Sequence, residues 1–362
     1  MAFACTVTQA HVCLEISMEL ADFRPQSKLA TRVTRVEKPR FPAFDAHNHL
    51  GQDFGGGWDQ KPLPELLDLL NQAGIRRYVD LDGGWGEHLL NAHLDHFKQP
   101  APERFLVFGG VDWSQWPEQG DRFAAWAAGR LRVQKERGAE GLKIWKGLGL
   151  QVRDQHDHLV DVEDARLDPI WETAGELGLP VVIHVADPVA FFDPVGETNE
   201  RWEELGQHPD WAFTSPPFPP FLHIVNGLAN LVERHPGTTF IGAHVGCYAE
   251  NLGWVGPLLE HCPNFFVDIS ARIGELGRQP YTARRFFLQY ADRILFGSDM
   301  GPDLAAYRII YRFLETDDEY FNYSPAALPM QGRWNVHGLY LPEHVLEKVY
   351  FRNAEQILGS SQ

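Results

Sequence analysis

The chain reads as an α/β protein built on a single (β/α)8 TIM barrel, and three observations predict it. From Phe44 onward, short apolar segments alternate with longer amphipathic ones, giving eight strand–helix units. Several of the short segments, PVVIHV at 180–185 among them, are apolar on both faces, as parallel strands covered on either side must be. The first segment runs into His47-Asn48-His49-Leu50-Gly51, where an open dinucleotide-binding sheet would carry GxGxxG. An open doubly wound sheet is therefore the runner-up.

The elements follow in order. Residues 1–42 lack clean periodicity and read as an N-terminal arm over the barrel, with Met18 as an alternative start. The barrel domain spans 43–362. Its strands are expected at 43–48, 75–81, 104–111, 139–145, 180–185, 238–243, 264–269 and 293–298. Between the first two, PLPELLDLLNQAG places Leu63, Leu66, Leu67 and Leu70 on one helical face, with Gly74 as the stop. Similar patterns precede each later strand. After the fifth strand the rhythm breaks: 186–219 is long and rich in Pro, aromatic and charged residues, which predicts an insert over the barrel mouth. The extension 316–362 carries a second irregular stretch and a last helix that opens at Pro342. One decorated barrel thus accounts for 362 residues, the excess over the roughly 250 of a plain barrel going to arm, insert and extension.

Composition removes several function classes. Lys plus Arg is 32 against 49 for Asp plus Glu, a net charge of −17, which argues against a nucleic-acid surface and against a polybasic membrane patch. No apolar run is long enough to span a bilayer, and the first residues lack the layout of a signal peptide. The four cysteines, Cys5, Cys13, Cys247 and Cys262, form neither a zinc knuckle nor a disulfide framework. A cytoplasmic enzyme is the expectation.

Chemistry is concentrated at the C-terminal ends of the expected strands, where barrel enzymes place their sites. His47 and His49 close strand 1, two residues apart and so on one side. His184 lies in strand 5, His244 follows strand 6 and Asp299 follows strand 8. Closure of the barrel sets strand 8 beside strand 1. His47, His49, His184 and Asp299 then form a cage of three imidazoles and a carboxylate, suited to Zn²⁺, with Mn²⁺ as the alternative.

The ordered motifs DAHNHLG, IHVADP, FIGAHVG and ILFGSDM resemble the amidohydrolase superfamily, within it the amidohydrolase-related branch that includes aminocarboxymuconate semialdehyde decarboxylase and γ-resorcylate decarboxylase. The resemblance covers roughly 43–358. It implies His47, His49, His184 and Asp299 as metal ligands, His244 as a catalytic histidine outside the ligand set, and Asp299 as a proton carrier as well as a ligand. Strand 4 of many superfamily members bears a carbamylated lysine between two metals. Lys143 is placed for that role and is expected to point inward, with Lys146 at the rim, but a single metal is favoured. The competing role for Lys143 is an ion pair with a carboxylate such as Asp112.

The resemblance implies a hydrolase that turns a metal-activated water on a small organic acid, lactone, ester or amide. The alternative is a nonoxidative decarboxylase of a hydroxylated aromatic or muconate-like acid, and a third reading is an inactive binding barrel. Arg272 has two readings: a clamp for a substrate carboxylate, or an ion pair with Asp268. Arg278 and Tyr281 are further candidates for the mouth, and Trp145, Phe191, Phe192 and Trp202 for its walls. The substrate is expected to be anionic and the assembly a homodimer.

Overall fold

A computed structural model describes residues 18–19 and 22–359. The stretch before Met18, with Cys5 and Cys13, lies outside the described residues. Nine parallel strand segments follow in chain order: β1 (Ala43–Asn48), β2 (Ile75–Asp80), β3 (Phe105–Val107), β4 (Gly109–Gly110), β5 (Leu142–Ile144), β6 (Val181–Ile183), β7 (Phe240–Gly242), β8 (Phe265–Asp268) and β9 (Ile294–Leu295). They hydrogen-bond as β1-β2-β3 and as β4-β5-β6-β7-β8-β9. β3 and β4 are two halves of the expected third strand, parted at Phe108.

Single backbone bonds bridge the two gaps between these ladders. Phe108 N donates to Asp80 O at 3.0 Å and Gly109 N to Gly141 O at 3.0 Å. On the other side Ala46 N donates to Phe296 O at 2.9 Å and Asp299 N to His47 O at 3.0 Å. The eight units thus form a (β/α)8 barrel, and the expected neighbourhood of the first and last strands is present.

A helix follows every unit: α1 (Leu63–Ala73), α2 (Glu87–His93), α3 (Phe123–Arg137), α4 (Asp168–Glu176), α5 (Phe221–Arg234), α6 (Leu252–His261), α7 (Pro280–Gln289) and α8 (Leu304–Glu315). In α1 the buried positions are Leu66, Leu70 and Ala73, and Gly74 ends the helix at φ 78°, a left-handed conformation that glycine adopts without steric cost.

Alternate strand residues fill the barrel. Phe44, Ala46, Val79, Leu106, Phe108, Val182, Ile241, Phe266 and Leu295 pack together with Ala354 and Leu358 of the terminal helix. That helix seals the N-terminal end. The residues of opposite parity face the surrounding helices in the larger core. β1 breaks this alternation, with a register shift between Asp45 and Asn48. Asp45 and Asn48 then bond outward to Ser298, and Asp45 also to the Tyr307 hydroxyl of α8, while His47 faces Asp268. A bulge of this kind re-aims a side chain at a functional rim.

The expected insert is folded rather than open: Trp202–Gln207 is a short helix within it. The described part of the arm runs along the extension, where Thr34 bonds the buried Asp318 through its N–H and its hydroxyl. No helix among the described residues is long and apolar enough to cross a membrane.

Candidate active site

The five residues singled out at the strand ends converge at the C-terminal mouth. Around Asp299, His49 Nε2 stands 3.3 Å from Oδ1, His47 Nε2 3.8 Å from Oδ1, and His244 Nε2 3.6 Å from Oδ2. His184 packs edge-on against His244, ring centroids 4.4 Å apart. His47, His244 and Asp299 each place a ligand-type atom within 4.8 Å of the others. His244, the imidazole that the resemblance sets outside the ligand set, therefore lies as near Asp299 as His47 and His49 do, whereas the expected ligand His184 faces Asp187.

Each of three imidazoles is held by its Nδ1, which leaves Nε2 toward Asp299. His47 Nδ1 donates to Asp268 at 2.8 Å, His49 Nδ1 to Asp82 at 2.7 Å and His244 Nδ1 to Ser270 O at 2.9 Å. This is how imidazoles that bind a metal through their other nitrogen are oriented. His184 Nε2 is buried without a hydrogen bond, facing Asp187 at 3.3 Å. Burial and nearby cations push His184 down to about 4 and His244 well below the usual imidazole range, so both rings present neutral nitrogens. Burial opposes charging of His49, but Asp299 and Asp82 outweigh it and raise it to about 9. Burial also works against the Asp299 carboxylate, yet His47, His49 and Lys143 hold it below the ordinary carboxylate value. The neutral His184, whose buried Nε2 has no partner, and the ionised Asp299 are ready donors for a borderline divalent cation, and a cation bound at His49 would take the place of the proton that Asp299 and Asp82 now hold there.

The backbone is strained here. His244, Val245 and Asp299 lie at φ 57°, 60° and 51°. Such conformations cost non-glycine residues about 1–3 kcal/mol each and collect at functional sites.

Lys143 points inward, as expected. It is buried, with Nζ 3.3 Å from His47 Nε2, and burial pushes it down to about 8. Asp112 is not its partner: that carboxylate caps the following turn by accepting from Ser114. Lys146 stands at the rim, ion-paired with Asp187.

Arg272 and Asp268 do not pair. Asp268 is committed to His47, to His244 N at 3.1 Å and to Ser270. Arg272 is buried and lines the cavity, its Nη1 donating to Ala271 O at 2.9 Å, with no carboxylate in ion-pair range among the described residues. Of the proposed walls, Trp145 and Phe191 line the cavity; Trp202 does not, and Phe192 packs against Phe213 and Phe221. Arg278 is paired with Glu200 and Tyr281 is exposed, so neither faces the mouth.

Asp82 was not singled out in the sequence, although it follows strand 2 as Asp299 follows strand 8. Its Oδ2 also accepts from Leu50 N and Gly51 N, which fixes the loop after His49. Behind it Asp80, Asp82 and His93 form a second group of ligand-type atoms, but His93 Nδ1 is already engaged with Asp80 at 2.5 Å.

Above this floor opens a cavity of about 860 Å³. Residues 45–360 match the family described as Amidohydrolase. The chain belongs to this amidohydrolase family. No curated protein matches it in sequence. Among solved structures it is similar to 2,6-dihydroxybenzoate decarboxylase from Rhizobium, at 16% identity and TM-score 0.53 over 90% of this chain and 99% of that one. It is also similar to a dihydroxybenzoic acid decarboxylase from a Polaromonas species, solved with manganese and the inhibitor 2-nitroresorcinol, at 18% identity and TM-score 0.51 over 91% and 98%. At such identities the likeness of this amidohydrolase to them is one of fold.

Proposed function

We propose that this amidohydrolase is a metal-dependent nonoxidative decarboxylase of a hydroxylated aromatic acid. The observation that carries the reading is the buried Arg272 guanidinium, free of any carboxylate partner among the described residues, facing a floor of imidazoles between aromatic walls. An unpaired buried cation is costly, and an anionic ligand relieves that cost. The decarboxylases of similar fold, one solved with bound manganese and the inhibitor 2-nitroresorcinol, support the same choice over the hydrolytic reading. His47, His49, His184 and Asp299 would hold a single divalent ion, Zn²⁺ or Mn²⁺. When bound, that ion supplies positive charge to anchor and polarise the substrate's carboxylate and neighbouring hydroxyl oxygens.

The residues account for the rest. Arg272 orients the carboxylate. Asp299, ionised at rest, accepts the proton of the hydroxyl and returns it to the ring carbon that bears the carboxylate. The ring-to-carboxylate bond then breaks, its electron pair restores the aromatic ring, and CO₂ leaves. The proton lost from the hydroxyl is regained from solvent on release. His244, neutral and with its Nδ1 proton given to Ser270 O, turns an unprotonated Nε2 toward Asp299 and offers an acceptor to that carboxyl group while it carries the proton.

The test is a panel of hydroxybenzoates, lactones and amides with metal-loaded protein. CO₂ evolved in step with loss of a hydroxybenzoate is the expected result. Acid released from a lactone or amide, with no CO₂ from any aromatic acid, would establish the hydrolytic reading instead.

A further inference from the structure

The cavity is larger than a single hydroxybenzoate ring needs. Its 860 Å³ lies near the upper end of pockets that enclose drug-sized ligands, roughly 300–1,000 Å³. Its polarity is also graded. The floor is imidazole and carboxylate, whereas the rim carries large apolar side chains that folding has left in water: Phe54 is 53% exposed, Trp85 46%, Met300 42% and Met330 50%. Exposed apolar groups gathered at one cavity mouth mark a ligand surface, in contrast to singly scattered ones.

The aromatic groups among them are aligned. His49 stacks on Trp145 with centroids 5.3 Å apart, Trp145 on Trp85 at 3.7 Å, and Phe54 lies nearly parallel to Trp85 at 6.1 Å. A continuous aromatic wall therefore runs from the floor to the rim, made of the edges of the stacked rings and of the open ring area that Trp85 and Phe54 keep at the mouth. Gly84 keeps the stack close, since a Cβ there would stand 2.8 Å from Trp145 Nε1 and 2.8 Å from Lys143 Cβ. Methionines at the rim add adaptable apolar surface.

We infer that the substrate is an amphipathic acid whose planar apolar body extends beyond its first ring, at least to a fused bicycle, and lies along the Trp145–Trp85–Phe54 wall. This rests on the reading of the floor as an acid-binding site, and it adds the class of acid. Each added aromatic contact is worth about 0.5–1.5 kcal/mol beyond area burial, so a second ring should bind several-fold to about tenfold tighter.

The experiment measures binding, not turnover. Zinc-loaded full-length protein is titrated by calorimetry with salicylate, 3-hydroxy-2-naphthoate and 2-naphthol. The expected order is the naphthoate about tenfold tighter than salicylate, and 2-naphthol, which lacks the carboxylate, weakest. Trp85→Ala and, separately, Phe54→Ala should shrink the naphthoate-to-salicylate preference to below about threefold. Equal affinities for the two acids in the unaltered protein, or a preference untouched by both substitutions, overturns the inference. Tight naphthoate binding by a protein that releases no CO₂ from any acid of the hydroxybenzoate panel leaves the inference standing and removes the decarboxylase reading. If 2-naphthol binds as well as the naphthoate, the acid-binding floor fails and the inference of an acid falls with it.

Discussion

His47 and His49 owe their aim to carboxylates contributed by other strands. Asp268 at the end of β8 takes the Nδ1 proton of His47, and Asp82 after β2 takes that of His49. Replacing Asp268 by Asn keeps the volume and removes the charge that fixes the tautomer. Such changes typically lower metal affinity or activity about 10–100-fold. Asp268→Asn should therefore bind zinc that much more weakly in a competitive chelator titration, with an unchanged circular dichroism spectrum. His244 separates two roles that lie close in space. With His244→Asn, zinc content should stay at one per chain while turnover falls about 10²–10⁴-fold, the range of a lost acid–base group. Metal lost in step with activity would make His244 a ligand, as its closeness to His47 and Asp299 allows. The strand-end rule located His47, His49, His184, His244 and Asp299 in the sequence. It missed Asp82 because neither Asp of YVDLDGGWG stands in a motif. Asp268 was visible, but its nearest basic neighbour in sequence, Arg272, suggested the wrong partner. Its true partner is 221 positions away and is brought there only by barrel closure.

At the scale of elements, ion pairs and cation–π contacts tie the insert both to the segment after β8 and to the extension. Arg201 is fully buried between Glu204, at 2.7 Å, and Glu275, with its guanidinium over Trp334 at 5.3 Å. Arg278 pairs with Glu200 and also lies over Trp334, at 4.1 Å. Nearer the surface, Arg333 holds Glu203 with two bonds of 2.7 and 2.6 Å. These pairs differ in worth despite similar distances. Arg201→Leu strands two buried carboxylates and should cost about 3–5 kcal/mol. Arg333→Leu removes a half-exposed pair and should cost at most about 1 kcal/mol. Urea unfolding of the two variants reads the difference. Nothing in the sequence distinguished these arginines, because burial is set by how two irregular segments meet. The regular elements were legible for the opposite reason. Apolar runs and helical periodicity are local, so all eight strands lie within their expected ranges, and only the Phe108 break in the third went unforeseen.

At the scale of the molecule, the charge of −17 works against the site. The sequence showed this imbalance without showing where the compensating cations lie. Lys146, Arg153, Arg201 and Arg272 line the cavity, but Lys146 is paired with Asp187, Arg153 with Asp157 and Arg201 with Glu204 and Glu275, which leaves Arg272 as the arginine there without a carboxylate partner among the described residues. An anionic substrate therefore approaches through a repulsive long-range field and is captured only at short range. Salt screens the first effect more than the second: the Debye length is about 30 Å at 0.01 M and about 8 Å at 0.15 M, and charges in a buried pocket are screened less than those on the surface. The association rate of an aromatic acid should thus rise with ionic strength, roughly two- to threefold across that interval, opposite in sign to an electrostatically steered enzyme. Stopped-flow quenching of tryptophan fluorescence in sodium chloride follows it directly, with the Trp85–Trp145 pair as reporter. A rate that falls with salt would mean that the cavity's cations dominate the field well beyond the mouth, and that the acidic surface has no part in substrate capture.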